Sequence, residues 1–429
     1  MIKRYQNSDI EKIWSEENKL NTWLDVEIKV VEGWAKINVV PTDDVKKIKA
    51  KAKVDIARML EIEKVTKHDV VAFTRMISES LGEEKKWIHL GLTSTDIVDT
   101  AQNILIKQSN DVLEKSLNHF LEILKLKAIK YKDVIITGRT HGIYGEPTSL
   151  GLKFLLWYEE LKRQLERFAL ARKHSEVSKI SGSMGNYANL EIEVEEYVAQ
   201  QFGLGVDALS TQVTQRDRHA FLISVIANTA STFEKIATEI RLFQQSEIQE
   251  MSEGFGEGQK GSSSMPHKKN PISSENVVGL SRFIKSFVNM AFENNVLWHE
   301  RDISHSSNER IMLPDIFSTI VYVSERLAGV VENIFVNENK IQQHLDEQKG
   351  IYFSQRVLTE IIKTSKVSRE EIYDFIQKCT MEAMRDQKEF KEVLIENGVN
   401  KFVEVDQLNK MFDNKYFLRN VNKIFERVI

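Results

Sequence analysis

Four stretches of this sequence, residues 92–137, 152–181, 206–253 and 351–397, contain neither glycine nor proline. That constrains the fold strongly, because these two residues are the ones that most readily interrupt a helix. Each stretch far exceeds the mean globular helix of about 11 residues. Periodicity then points to helix. From Ile97 the apolar positions Ala101, Ile104, Leu105, Leu113, Leu117, Phe120, Leu121 and Leu124 keep to one face at steps of mostly three and four. Leu222, Val225, Ile226, Phe233, Ile236, Ile240 and Phe243 repeat the pattern. A helix of about 30 residues spans roughly 45 Å, longer than a compact domain needs. Strand alternation is scarce, and Val134-Ile135-Ile136 before Gly138 is too short to build a sheet. The expected fold class is all-α.

Only 5 prolines occur in 429 residues, and four of them fall between 147 and 314, in or near segments crowded with polar residues. They are expected to mark where helices stop. Boundaries near 93 and 341 divide the chain into an N-terminal helical domain (1–93), a central long-helix domain (94–341) and a C-terminal helical domain (342–429). Ser8 or Asp9, and Thr42 or Asp43, are expected to cap early helices. The single Cys379 excludes a disulfide framework. With 63 acidic against 59 basic residues, no global positive field recruits nucleic acid or an anionic membrane. No apolar run of about 20 residues exists, and Met1 to Gln6 leads into polar sequence, so a soluble, cytoplasmic protein is expected.

Three segments interrupt the helical pattern: Gly91 to Asp96, Gly138 to Pro147, and Gly254 to Pro271. The last contains G-x-G-x-x-G from Gly256 to Gly261. No apolar strand precedes it, and Pro266 and Pro271 block a phosphate-binding helix, so a dinucleotide fold is not indicated. It leads instead into Ser262-Ser263-Ser264-Met265-Pro266-His267-Lys268-Lys269-Asn270-Pro271. Hydroxyls, backbone N–H groups and lysines on a mobile loop can stabilise a carboxylate or a developing oxyanion. A plain polar linker is the alternative, but a linker has no need of Met-Pro-His-Lys-Lys-Asn-Pro. In Gly138-Arg139-Thr140-His141-Gly142 the histidine sits in an expected loop, and imidazole is suited to donating a proton near neutrality. Standing alone it can equally be a surface histidine in a turn. Thr93-Ser94-Thr95-Asp96 can cap the helix that follows, and orphan N–H groups at such a start also receive anions. His68 and His89 are candidate partners, although each taken singly reads as a structural histidine. No H-E-x-x-H or comparable pair occurs, and no metal site is expected.

Together these segments resemble the three signature regions of the fumarase and aspartase superfamily of lyases. Gly261, Ser262, Ser263, Met265, Pro266, Lys268 and Asn270 meet its very specific G-S-S-x-M-P-x-K-x-N pattern. Within it the chain is similar to the adenylosuccinate lyase family. That likeness rests on Arg4-Tyr5, Ile13-Trp14-Ser15, Thr66 with His68-Asp69-Val70, Ser210-Thr211-Gln212, Gln215 to His219, and Trp298 to Ser307 with Glu309-Arg310. Lys269, where many members carry arginine, and Asn308, where a small apolar residue is usual, depart from the pattern. Argininosuccinate lyase would share the three signatures, but the Arg-Tyr, Thr-x-His-Asp and Trp-His-Glu-Arg-Asp stretches argue against it. A helical scaffold protein would leave the polar segments unexplained.

The resemblance implies a homotetramer whose core is a bundle of long helices from four subunits, with each active site drawing on three chains. It implies β-elimination of fumarate from adenylosuccinate and from the succinylated carboxamide ribotide of purine synthesis, with no cofactor. In that reaction Ser262 is the base, and Lys268 and Asn270 hold the charge of the aci-carboxylate. His141 protonates the leaving nitrogen, Glu275 orients His141, and His68 supports catalysis. Arg4, Tyr5, Gln212, Arg301, Ser306 and Arg310 are implied to hold the nucleotide and its phosphate, with His89 near the site entrance. Lys67, Asp69, Thr93, Ser94, Thr140, Ser263, Met265, Lys269, Asn276 and Ser307 complete the implied substrate contacts.

Overall fold

A computed structural model describes residues 2–256 and 258–429, so Glu257 of the glycine-rich segment lies outside the described residues. Long helices dominate: Ser94–Lys130, Leu150–Ser175, Asp217–Phe243, Ile272–Glu293 and Ser304–Glu332. The first has 37 residues and is about 55 Å long. No helix among the described residues is long and apolar enough to cross a membrane.

Three of the four uninterrupted stretches hold such a helix. The fourth, 351–397, divides into Ser354–Thr364, Arg369–Asp386 and Phe390–Glu396. Its breaks use ordinary residues: Ser368 caps the second helix by accepting from the Glu371 N–H, and Gln387 ends it in the left-handed region at φ 51°. Pro314, by contrast, stops nothing. It lies inside Ser304–Glu332, where the remaining turns carry the helix past the missing N–H. The first helix cap also differs from expectation, since Asn7 accepts from the Asp9 and Ile10 N–H groups. Pro41 stands at the start of Thr42–Lys51 with no side-chain cap.

The chain forms two compact units. One takes residues up to Phe120, Leu161–Lys235 and Asn276–Leu327. Its main apolar core gathers Leu20, Trp23, Val30, Phe73, Ile77, Ile97 and Val194. The other takes Leu121–Glu160, Ile236–Glu275 and Ala328–Ile429. Within it a second core joins Phe353, Val357, Ile372, Cys379, Phe390, Leu394 and Leu408. Cys379 is therefore a packing residue, and burial pushes its thiol up to about 11.

The second unit also corrects the expectation at residues 134–138. Ile135–Thr140 pairs antiparallel with Ile143–Ser149, closing a hairpin at Thr140 and Ile143. Its second strand holds Gly145 and Pro147 and shows no alternation, so it does not read as a strand. His141 and Gly142 form the two-residue turn with φ of 56° and 77°, the pair of positive values that a type I′ hairpin needs. A bulge falls at Gly138, where a Cβ would lie 2.6 Å from the Glu146 carbonyl oxygen.

Candidate active site

In the first unit, the segment Gly91 to Asp96 is fixed from beneath. Asp96 is fully buried, and its Oδ1 accepts from Lys179 Nζ (2.6 Å) and from the N–H groups of Ser181 and Gly182. Its Oδ2 accepts from the Thr93 N–H at 2.7 Å, satisfying an orphan donor at the start of Ser94–Lys130. Asp96 thus faces inward while Thr93 and Ser94 stay partly exposed beside the helix N-terminus, where anions are favoured. Both readings of this segment, cap and ligand site, are compatible with that arrangement.

Residues distant in sequence also pair with one another within this unit. Asp69 accepts from Arg310 Nη2 at 2.9 Å and lies 3.6 Å from His68 Nδ1, which also accepts weakly from the Val71 N–H as a helix cap. Lys67 precedes them at φ 53° and is exposed. Gln212 accepts from Arg301 Nη1 at 3.2 Å, and its backbone carbonyl takes the Thr95 hydroxyl. The Tyr5 ring stands edge-on to Tyr322, and its carbonyl accepts from Ser318. Arg4 is exposed. Ser306 and Ser307 occupy the first turn of Ser304–Glu332. Asn276 Oδ1 and Arg301 Nε are buried without hydrogen-bond partners among the described residues. Asn308 departs from the family pattern for a visible reason: its amide pairs reciprocally with that of Asn294 at 2.8 Å.

Beneath this surface lies a charged core the sequence reading missed. Arg216 binds Asp99 through two N–H groups at 2.8 and 3.0 Å and Glu309 at 2.8 and 3.2 Å. His305 joins Glu309 at 3.1 Å. Burial opposes charge on Asp99 and Glu309, but the guanidinium outweighs it and holds both carboxyls below their usual range. Glu309 is buried while its neighbour Arg310 is exposed, so the network anchors the turn that presents Arg310 and Ser306. The stretches Gln215 to His219 and Glu309-Arg310 were visible only as family resemblance. Which of their charges turn inward is a matter of burial, which residue type does not disclose.

In the second unit the candidate catalytic residues sit on largely exposed segments. Ser262 Oγ accepts from the N–H groups of Ser264 (3.3 Å) and Met265 (3.1 Å). Gly261 lets the loop close tightly, since a Cβ there would lie 2.2 Å from the Lys268 carbonyl oxygen. Ser263, Met265, Lys268 and Lys269 are exposed, with the Lys269 ammonium 5.0 Å over the Phe255 ring. Met265, Lys268, Lys269, Asn270 and Glu275 line an open cleft of about 1090 Å³ shared with Arg241, Gln244 and Asn337. Glu253 accepts from the Ser273 and Ser274 N–H groups and so fixes the start of Ile272–Glu293, which carries Glu275. Thr140 and His141 are exposed at the hairpin tip. No hydrogen bond or ion pair among the described residues joins His141 to Ser262, Lys268 or Glu275. The hairpin itself is tied down by Arg139, whose guanidinium meets buried Glu250 at 2.6 and 2.9 Å, with His344 on the same carboxylate at 2.6 Å. Among the described residues no cluster of histidine, cysteine and carboxylates has the makings of a metal site.

This fold and these segments define a lyase. A family model described as Lyase matches residues 3–285, and one described as Adenylosuccinate lyase C-terminus matches residues 350–428. The adenylosuccinate lyase of Bacillus subtilis (strain 168) is 49% identical over 429 residues, covering 100% of this chain and 99% of that protein. The chain belongs to the adenylosuccinate lyase family. Its fold is shared with fumarate lyase from Mesorhizobium sp. BNC1, at a TM-score of 0.89 and 19% identity over 100% of this chain and 99% of the other. The 3-carboxy-cis,cis-muconate lactonizing enzyme from Pseudomonas putida gives 0.86 at 23% identity, over 99% and 96%.

Proposed function

We propose that the protein eliminates fumarate from adenylosuccinate, leaving AMP, and from succinylaminoimidazole carboxamide ribotide, leaving the amide ribotide, in cytoplasmic purine nucleotide synthesis. Ser262 removes the proton from the carbon beside a substrate carboxylate. The electron pair moves into that carboxylate, where Lys268, Asn270 and loop N–H groups stabilise it. The pair then returns to form the new C=C bond as the C–N bond breaks, and His141 gives the departing nitrogen its proton. Glu275 orients His141, and His68 assists. Arg4, Tyr5, Gln212, Arg301, Ser306 and Arg310 hold the nucleotide and its phosphate, so that a chain of net charge −4 still offers a locally basic site. Neither metal nor cofactor takes part.

The observation that carries the chemical assignment is the pair of N–H donors on Ser262 Oγ. A serine hydroxyl is a poor base unless its alkoxide is stabilised, and these donors, with Lys268 in the same loop, supply positive potential at that oxygen. Closure of the loop over substrate completes the arrangement.

The active assembly is a homotetramer in which three chains supply the signature segments of each site. What supports this is that no hydrogen bond or ion pair among the described residues joins His141 to Ser262 or Glu275 within one copy, together with exposed Phe283, Met290 and Phe292 on a long helix. In this reading the chain has three helical domains, 1–93, 94–341 and 342–429, and the separate family match at 350–428 supports the last. Incubating the purified protein with adenylosuccinate, without added metal, should release AMP and fumarate in equal amounts. No product from an intact assembly would overturn the reading.

A further inference from the structure

Glu27 lies in the helix Glu16–Lys36 with no solvent exposure. Its Oε2 accepts the backbone N–H of His89 at 2.9 Å, and its Oε1 lies 2.7 Å from His89 Nδ1. A buried carboxylate must be neutralised or paired, and His89 is its only ion-pair partner among the described residues. The neighbouring Asp96 is already matched by Lys179. His89 adopts φ 63°, an uncommon conformation for a residue other than glycine, and thereby turns both its N–H and its ring toward Glu27. Nε2 has no hydrogen-bond partner among the described residues, and the ring is partly exposed. From His89 the chain runs through Gly91 to Thr93, at the start of the long helix Ser94–Lys130.

From this geometry we infer that Glu27 is a positioning residue that keeps His89 an imidazolium, with Nδ1–H locked inward and Nε2–H presented to an anionic group of the substrate. This rests on the proposed function for the identity of the ligand, but not for the charge of the ring. Burial opposes charge on His89, and Glu27 and then Asp96 outweigh it, raising the imidazolium above its ordinary range. Glu27 from the first unit's helix and Asp96 from the long helix are the charged groups that act on the ring.

The test uses the full-length protein with ¹³C-labelled histidine, His89 being assigned by its loss in His89→Asn. In the wild type the His89 ring should titrate above about 6.5. Glu27→Gln keeps an acceptor for the backbone N–H but removes the charge. It should lower that midpoint by about one unit or more and raise KM for adenylosuccinate about tenfold, with kcat changed less than about threefold. Glu27→Asp should restore the midpoint in part. A wild-type midpoint at or below 6.5 overturns the inference, and needs no variant that folds. So does a normal KM in a Glu27→Gln protein whose ring has lost its raised midpoint. If the protein fails to turn over adenylosuccinate at all, the functional reading fails while the titration still decides the charge.

Discussion

Asp96 and Lys268 each stand in a signature segment, one in each unit, and their surroundings are opposite. Asp96 has no solvent exposure and accepts four hydrogen bonds, one of them from the equally buried Lys179. Lys268 is exposed, and its backbone N–H donates to the Met265 carbonyl. The same contrast separates Arg216, held by Asp99 and Glu309 in the first unit, from Ser262 and His141 on the exposed loop and hairpin of the second. In the proposed mechanism the first unit uses buried charge to fix where a substrate is held. The second places the groups proposed to transfer protons on exposed segments. The proposal thereby divides binding geometry and chemistry between a buried, paired set of residues and an exposed one.

If that division is right, removing a group from the exposed side should abolish turnover and leave the fold alone. His141→Ala and Ser262→Ala should each lower kcat by about 10²–10⁴-fold. Their stabilities in urea should stay within about 0.5 kcal/mol of the wild type, since neither side chain is buried. A large stability loss in either would blur the distinction. On the buried side the reverse is expected. Lys179→Met strands the Asp96 carboxylate, and urea titration should show a loss of about 3–5 kcal/mol. A stable Lys179→Met protein would show that Asp96 does not need its partner.

A smaller effect sharpens the comparison at the loop. In Gly261→Ala the new methyl meets the Lys268 carbonyl oxygen and, at 2.8 Å, the Lys269 Cα. The strand of loop carrying Lys268 must shift, which should reduce kcat about tenfold or more while the melting temperature stays close to that of the wild type. Unchanged kinetics would mean that the described loop geometry is not the working one.

Residue type and spacing revealed much of this architecture, for reasons that can be located. The stretch 92–137 is helical because nothing in it breaks a helix, and its apolar stripe fixes the face it buries. The same reasoning overreaches at 351–397, where Ser368 starts a new helix and Gln387 ends it without glycine or proline. It overreaches again at Pro314, which the helix accommodates. The hairpin was hidden because Ile143–Ser149 has no alternation to announce it, and His141 therefore passed for a loop residue when it is one half of a two-residue turn. Ser262, His141 and Lys268 stood out as candidates because polar groups in glycine-rich segments are conspicuous, and their roles came from the family resemblance. Glu27, Asp99, Lys179, Glu250 and Glu309 were not, because a charged side chain reads as surface until the fold closes over it.

The central claim is that Ser262 and His141 act together in sites built from more than one copy of the chain. Inactive His141→Ala and Ser262→Ala proteins, mixed in equal amounts under conditions that exchange subunits, test it directly. The account predicts that adenylosuccinate cleavage returns to about a quarter of the wild-type rate, as random assembly gives a fraction of sites both intact residues. Persistent inactivity in assemblies shown by native mass spectrometry to contain both variants would contradict it.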